Sequence, residues 1–352
     1  MMNTRHARRL VLAFILGIAA CLTTNSFAGR PLVLDSYGSF FIGGRNIQSN
    51  NLVRSGDPFG PPFLFPSGTI VVDQMYVQYK VPVGANRIPI ILIHGCCLTG
   101  KSYETTPDGR EGWEEYFLRQ GHPVYVVDQP TRGRSGKDPS SNNRVAENQA
   151  PPSTLPFAKT AGREGAWTLF RFGPVYGQAY PGVQFPLEAA DQFWAEIVQD
   201  YNSTTSAQGQ PVLKDISLLA EKLGHAVVIS HSQSAAFAQE TAVFVNPKGI
   251  DGIVSVEGSC AFDNNAVNTL KNIPTMYLYG DNINGVDPLW TFLMQTCQTW
   301  AAQVNALGGN SSVVQTPDMG IRGTTHMMML DKNNLEVASV IDTWIARNVE
   351  RK

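Results

Sequence analysis

The sequence predicts an α/β fold, with a mostly parallel central sheet and helices on both of its faces. Short continuous apolar runs at 89–93 and 123–127 are typical of strands buried on both faces. Segments with helical periodicity separate several such runs, and this alternation of strand and helix favours a parallel sheet. A third apolar run, at 226–229, leads directly into a serine-rich turn and a small-residue segment.

The elements follow in a regular order. Residues 31–83 alternate apolar and polar side chains between glycines and prolines, which predicts antiparallel strands at the start of the sheet. The strands expected after them are 89–93, 123–127, 225–230, 250–256, 274–279 and 312–315. The expected helices are 112–118, 211–223, 233–243, 288–305 and 335–348.

The segment 137–185 interrupts this alternation. It is rich in proline and glycine, and it carries the aromatic residues Phe157, Trp167, Phe170, Phe172, Tyr176, Tyr180 and Phe185. A stretch of this length without clear elements is usually a lid, a binding loop or disordered, and the aromatic side chains argue against disorder. We expect a cap-like insertion over a functional site; the alternative is a packed appendage that touches no substrate.

The amino-acid composition limits the classes of function that the chain can have. With 352 residues, 43% of them hydrophobic, the chain can bury a deep core. Its net charge of −2 and even mix of signs give no indication of a nucleic-acid partner.

The N-terminus predicts a signal peptide over residues 1–28 and a mature domain over 29–352. A basic start precedes an apolar stretch at 10–22, which is too short for a membrane span, and Ser26-Phe27-Ala28 fits the small-x-small cleavage rule. No other apolar run is long enough to span a bilayer. The expected location is therefore periplasmic or secreted. A lipoprotein anchored at Cys21 and a twin-arginine signal at Arg8-Arg9 are the alternatives.

Four cysteines remain after the signal peptide: Cys96, Cys97, Cys260 and Cys297. An even number in an exported protein suggests disulfides, and four cysteines allow three pairings. The Cα atoms of Cys96 and Cys97 are only about 3.8 Å apart across a trans peptide, whereas ordinary disulfides span about 4.4–6.8 Å. A Cys96–Cys97 bond would therefore lock the local backbone; two buried thiols are the alternative. If the neighbours pair, Cys260 and Cys297 are left to each other.

Ser230-His231-Ser232-Gln233-Ser234 lies between the expected strand and the expected helix. Such a strand-turn-helix setting can carry a nucleophilic serine on a strained elbow. The usual pattern is G-x-S-x-G, and serine is the next size up from glycine. We therefore predict Ser232 as the nucleophile and the Gln233 N–H as an oxyanion donor, against the alternative that Ser232 only caps the helix.

A serine nucleophile needs a base and an orienting acid. His326 is the only histidine in a late loop after the serine, which is the chain order expected with such an elbow. Glu257 ends an apolar strand, where a carboxylate is costly without a partner, so we favour it as the acid. Asp281, at the end of the following strand, is the alternative. The second oxyanion donor is expected at Cys96, after the pair His94-Gly95.

These motifs together resemble the α/β-hydrolase superfamily, and within it a bacterial esterase that has a disulfide between consecutive cysteines in its oxyanion hole and a Ser-Glu-His triad. The resemblance rests on residues 95–100, 230–234, 256–258 and 325–327. It implies Ser232, Glu257 and His326 as the triad, with Cys96 and Gln233 as oxyanion donors. The stretch 128–135 is similar to the superfamily's D-x-P-G-x-G-x-S and departs from it at Thr131.

The expected activity is hydrolysis of a small-molecule carboxylic ester by an exported serine hydrolase, with no metal and no organic cofactor. Lactone hydrolysis or acyl transfer by the same triad is the first alternative, and a non-catalytic binding protein is the second. The sequence leaves the natural ester and the oligomeric state open, a homodimer included.

Overall fold

The computed structural model describes residues 31–54, 56, 67–201, 207–260 and 265–351. Its compact unit spans Leu34–Lys352. The predicted signal peptide falls outside the described residues. Among the residues that are described, no helix is both long and apolar enough to cross a membrane.

The strands of the described part form one sheet. Their bounds are β1 (Leu34–Ser49), β2 (Gly68–Pro82), β3 (Ile90–Ile93), β4 (Val124–Asp128), β5 (Ala226–His231), β6 (Ile250–Val256), β7 (Thr275–Tyr279) and β8 (Ser311–Gln315). Their order is β1-β2-β4-β3-β5-β6-β7-β8. The β1–β2 and β2–β4 pairs are antiparallel, and the pairs from β4–β3 to β7–β8 are parallel. The mostly parallel sheet that the sequence predicts is confirmed.

Helices connect and cover these strands. They are α1 (Trp113–Arg119), α2 (Ser140–Ala146), α3 (Arg163–Leu169), α4 (Ala190–Glu196), α5 (Pro211–Leu223), α6 (Phe237–Phe244), α7 (Ala266–Leu270), α8 (Pro288–Ala306) and α9 (Asn334–Asn348). The helix expected at 233–243 begins later, at Phe237, because a 3₁₀ turn over Ser232–Ser234 comes first.

Both faces of the sheet are buried. Ile91 and Ile93 belong to a core cluster that includes side chains of α5, α6 and α8. Ile90 and Leu92 are also fully buried, and side chains along a strand alternate between the two faces. On β6, a Cβ added at Gly252 would meet Val349 and Trp344 near the C-terminus, so α9 covers that second face.

The 137–185 segment contains more helix than its sequence suggests. It includes α2 and α3. The Asp138 side chain accepts a 2.9 Å hydrogen bond from the Ser140 N–H, which supports the start of α2. In α3, Ala166 and Trp167 are buried, and the Trp167 ring contacts the rings of Phe172 and Tyr176. An apolar side of this length gives little helical periodicity in the sequence. The sequence prediction of a segment without regular elements is therefore wrong for these two helices.

Candidate active site

Ser232 lies at the turn that joins β5 to α6. β5 ends at His231, and the 3₁₀ turn begins with Ser232. Ser232 has a φ of 58°, in the left-handed region that non-glycine residues rarely occupy. This backbone conformation presents the side chain at the carboxyl end of a central parallel strand, where Ser232 lines a cavity.

Two glycines from neighbouring loops give this turn its room. A Cβ at Gly95 would lie 2.8 Å from the Ser232 Cβ, and one at Gly258 would lie 2.4 Å from the Ser232 carbonyl oxygen. The flanking residues Ser230 and Ser234 instead use their hydroxyls, which donate hydrogen bonds of 3.2 Å and 3.0 Å to carbonyls of the same turn. The closest packing thus occurs at residues 95 and 258, which explains why serines fit at residues 230 and 234.

Ser232, His326 and Glu257 lie in one hydrogen-bonded line. Nε2 of His326 is 2.9 Å from Oγ of Ser232, and Nδ1 of His326 is 3.3 Å from Oε2 of Glu257. Glu257 and His326 are both buried. In such a line an imidazole can accept the hydroxyl proton while the carboxylate stabilises the resulting imidazolium.

The charges of this line follow from burial and from one cation. Burial alone would raise the pKa of Glu257, but the Arg171 guanidinium and the hydrogen bond from His326 outweigh burial and lower it to about 2. Burial lowers the pKa of His326, although its hydrogen bond to Glu257 acts in the opposite direction. Glu257 is therefore a carboxylate and His326 a neutral imidazole at neutral pH.

Arg171 is the main site residue that sequence reasoning missed. It belongs to the 137–185 segment, and it forms a buried ion pair with Glu257. The Arg171 side chain is 1% exposed and that of Glu257 is 0% exposed. A lone arginine between Phe170 and Phe172 is the available sequence signal, since a charge in an aromatic cluster needs a partner.

Asp281, the alternative acid, lies in the neighbouring loop. Its carboxylate accepts hydrogen bonds from the backbone N–H groups of Asn282 (2.8 Å) and Gly323 (2.8 Å). The Asp281 N–H in turn donates to the Thr324 carbonyl at 3.0 Å. Asp281 thus links the loop after β7 to the loop that carries His326, whereas the carboxylate facing the imidazole is that of Glu257.

Aromatic and imidazole rings surround His326. The Phe170 ring stacks on the imidazole with centroids 5.1 Å apart, and the Trp290 ring centroid is 4.6 Å away. His231 lies on another side, and its Nε2 is 2.8 Å from the His326 carbonyl oxygen. Burial holds the pKa of His231 well below its usual range, so a neutral His231 donates this hydrogen bond from Nε2. These contacts fix the position of the imidazole.

The two residues expected to supply oxyanion donors also meet here. Cys96 and Gln233 line the same cavity as Ser232. Arg132 bridges their two segments, since its guanidinium donates 3.0 Å hydrogen bonds to the Gly95 carbonyl oxygen and to Oε1 of Gln233. One buried side chain therefore holds both segments in register.

The sulfur atoms of Cys96 and Cys97 are 2.6 Å apart, and Cys97 has a φ of 61°. Together with a carboxylate oxygen of Asp200 they form a group whose possible ligand atoms lie within 4.8 Å of one another. This group does not fit a tetrahedral zinc ion. Two thiolates on one tetrahedral zinc would be about 3.8 Å apart, given zinc–sulfur distances near 2.3 Å, and Asp200 is already paired with Arg132 at 2.7 Å.

A disulfide joins Cys260 to Cys297, with Cα atoms 5.6 Å apart. It connects the loop after β6 to α8. The Tyr279 hydroxyl lies beside it and donates a 2.6 Å hydrogen bond to the Gly258 carbonyl oxygen. The disulfide therefore stabilises the region that follows Glu257.

A cavity of about 900 Å³ opens above Ser232 and His326. The 137–185 segment supplies part of its wall, through residues 159–162, Gly165, Ala166, Leu169 and Phe170. Helix α8 supplies Leu289, Trp290 and Leu293. The wall is mainly apolar, so it suits a substrate that brings an apolar group close to the serine.

Comparisons with known proteins find an esterase and a probable lipase among the similar proteins. No protein-family profile matches the chain. A solved structure described as that of a novel bacterial esterase is 45% identical, with a TM-score of 0.86, over 91% of this chain and 98% of that one. A probable secreted lipase, phiG, from a fungus (strain ATCC 74256) is 25% identical over 343 residues, which cover 81% of this chain and 89% of the lipase.

A mostly parallel sheet with a serine on a strained turn and a histidine beside it defines a serine hydrolase. At 45% identity over nearly the full length of both chains, the protein belongs to the α/β-hydrolase superfamily, in the family of that bacterial esterase.

Proposed function

We propose that this protein is an exported carboxylic ester hydrolase that works through an acyl-enzyme on Ser232. The observation that carries the proposal is the line from Ser232 through His326 to Glu257, with separations of 2.9 Å and 3.3 Å. The names of its relatives, an esterase and a probable secreted lipase, support an ester as the substrate.

The first chemical step is attack on the ester carbonyl. The neutral imidazole of His326 takes the proton of the Ser232 hydroxyl at Nε2 as Oγ bonds to the carbonyl carbon. Glu257 holds the Nδ1–H and stabilises the imidazolium that forms. His326 then gives the proton to the leaving alkoxide, and the acyl group stays on Ser232.

The negative oxygen of the tetrahedral intermediate needs preorganised donors. The backbone N–H groups of Cys96 and Gln233 fill this role in our proposal, since both residues line the cavity beside Ser232. The Arg132 bridge between the Gly95 carbonyl and the Gln233 side chain supports it, because it ties the two segments to each other. Water activated by His326 finally releases the acid.

A disulfide between Cys96 and Cys97 belongs to the same proposal, because it would fix the Cys96 N–H on the oxyanion. The 2.6 Å separation of the sulfur atoms supports it, being closer than two thiols approach in van der Waals contact. We expect both cysteines to resist alkylation in the untreated protein and to gain label after reduction, by mass spectrometry of the peptide that contains them. Labelling of both before reduction would contradict the disulfide.

The 137–185 segment acts as the cap of this site in our proposal. It contributes wall residues to the cavity, and Phe170 stacks on His326. A cavity of about 900 Å³ with an apolar wall favours esters that carry a sizeable apolar acyl or alcohol group.

Export is supported by the basic-apolar N-terminus, the Cys260–Cys297 disulfide and the secreted relative. Mass spectrometry of the N-terminal peptide of the mature protein tests it. Cleavage after Ala28 agrees with simple secretion, a lipid-modified Cys21 agrees with the lipoprotein alternative, and an intact N-terminus contradicts export.

The decisive kinetic test compares Ser232→Ala with Ser217→Ala, a change at a buried serine of α5. On a panel of nitrophenyl esters that vary in acyl and alcohol size, Ser232→Ala should lower kcat by about 10⁴-fold or more, and Ser217→Ala should leave it nearly unchanged. Nearly full activity in a folded Ser232→Ala variant would contradict the proposal.

A further inference from the structure

Two consecutive residues of the 137–185 segment reach two different members of the proposed triad. The Phe170 carbonyl oxygen accepts a 3.0 Å hydrogen bond from the His326 N–H, and its ring stacks on the imidazole. The Arg171 guanidinium donates two hydrogen bonds to the Glu257 carboxylate, of 2.9 Å to Oε2 and 2.5 Å to Oε1. The acid and the base are thus held by adjacent residues of a segment outside the sheet.

The placement of Arg171 is fixed from several sides. Its φ is 58°, so the backbone turns sharply there. Nε donates a 2.9 Å hydrogen bond to the Asp281 carbonyl oxygen, and the guanidinium lies 5.0 Å from the Trp290 ring centroid. The guanidinium thus contacts a carboxylate, a backbone carbonyl oxygen and an aromatic ring at once. Lysine cannot reproduce this set of contacts, because it lacks the planar fork that binds both carboxylate oxygens.

Glu257 depends on this fork. Its side chain is fully buried, and burial without a cation would favour the neutral acid. Besides Arg171, Oε1 accepts a hydrogen bond from the Gly280 N–H at 2.5 Å, and Oε2 faces His326. A Cβ at Gly280 would lie 2.8 Å from Oε1, so the carboxylate lies directly against this backbone.

We propose that Arg171 is a positioning residue of the reaction, which keeps Glu257 charged and aimed at His326 only while the 137–185 segment is docked. This inference rests on the proposed function. It makes the segment part of the proton-transfer apparatus as well as a wall of the cavity.

The pH dependence follows from the charges around Glu257. The other titratable groups that interact with it are His326, His231, Tyr279 and Asp331. Activity requires Glu257 ionised and His326 neutral. Loss of Arg171 removes the cation that lowers the pKa of Glu257, and it also removes a like charge that lowers the pKa of His326. Both pKa values then rise, so the acidic limb of the activity profile moves to higher pH.

The test compares the mature enzyme with its Arg171→Lys and Arg171→Met variants. Arg163→Met is the matched control, because Arg163 lies in the same segment and pairs with exposed Asp191. At pH about 6 we expect kcat/KM to fall about tenfold in Arg171→Lys, which keeps the cation but loses the fork, and about 100-fold or more in Arg171→Met. The acidic limb should move upward by about one pH unit in Arg171→Met, which lacks the cation, and should stay near its wild-type position in Arg171→Lys. The KM should change little, and the control should match the wild type.

The pH profile of Arg171→Met decides the inference. A displaced limb with partial recovery at high pH supports it. A folded Arg171→Met variant that keeps the wild-type acidic limb, with the same loss at every pH, contradicts it, since loss of packing alone lowers activity uniformly. If Arg171→Met fails to fold, Arg171→Gln, which also removes the cation, carries the same test. Failure of the proposed function is recognised separately, because Ser232→Ala would then keep its ester hydrolysis whatever the Arg171 variants show.

Discussion

Both carboxylate oxygens of Asp331 accept hydrogen bonds from Thr325, the residue immediately before His326. The Thr325 N–H donates to Oδ2 at 2.6 Å and its hydroxyl donates to Oδ1 at 2.8 Å. The same hydroxyl accepts a 3.0 Å hydrogen bond from the Met327 N–H. The backbone on both sides of His326 is therefore tied to one buried carboxyl group.

This arrangement predicts a pH-dependent stability. Burial raises the pKa of Asp331 to about 7, against the two Thr325 hydrogen bonds that lower it. A carboxyl group whose pKa is higher in the folded state contributes stability at low pH, and this contribution is lost as the pH rises from the unfolded value of 3.8 towards about 7. Asp331→Asn cannot titrate, so its melting temperature should lack this decline. Scanning calorimetry from pH about 4 to about 8 measures the melting temperatures of both proteins. Melting temperatures that change in parallel with pH would contradict the prediction.

The choice of acid makes a second prediction. Glu257→Gln removes the charge that faces the imidazole, so kcat should fall about a thousandfold. Asp281→Asn keeps an oxygen for one of the two backbone donors, so the loss there should stay below about tenfold. Melting temperatures control for folding. A larger loss of turnover in Asp281→Asn than in Glu257→Gln would reverse the assignment.

The third prediction concerns the pH profile of the wild-type enzyme. Burial lowers the pKa of His326, and the general base must be neutral. Activity should therefore rise with pH through an inflection below about 6.5, the usual value for histidine, and be close to its plateau at neutral pH. The profile of kcat/KM for a soluble ester reports this inflection. A value above the usual histidine range would be inconsistent with a buried, desolvated base.

The Cys260–Cys297 disulfide gives the fourth prediction. It closes a loop with a sequence separation of 37, for which the loss of chain entropy in the unfolded state is worth about 4 kcal/mol. The double variant Cys260→Ala/Cys297→Ala should lose about that much free energy of unfolding, measured in denaturant, while keeping its ester specificity. A loss below about 1 kcal/mol would mean that the bond adds little to the stability of the loop.

Much of the fold could be predicted from the sequence. β3, β4 and β5 are fully buried or nearly so, and continuous apolar runs carry that information locally. The order of β3 and β4 in the sheet is not local information, and neither is the packing of Gly95 and Gly258 against Ser232. The sequence alone does not explain why serines fit at residues 230 and 234, because the close approaches at residues 95 and 258 are visible only in the structure.

Some residues of the candidate site can be predicted from the sequence and others cannot. Ser232, Glu257 and His326 could be proposed because each stands at the end of a recognisable strand or in a late loop. Arg171 could not, since its partner Glu257 is 86 residues away and the contact depends on how separate segments dock. Asp331 is only 6 residues from Thr325, in the same loop before α9, but no sequence motif points to that contact. Helix α3 could not be predicted because it has only 7 residues and a short apolar side, which gives no clear periodicity.

The most direct measurement of the central claim is the mapping of a fluorophosphonate probe on the intact enzyme, with His326→Ala as the comparison. The account predicts a single label on the Oγ of Ser232 in the wild type, a parallel loss of ester hydrolysis, and greatly slowed labelling in the variant, because no base is left to take the proton. Label on another residue with hydrolysis lost, or undiminished labelling of Ser232 in His326→Ala, would contradict it.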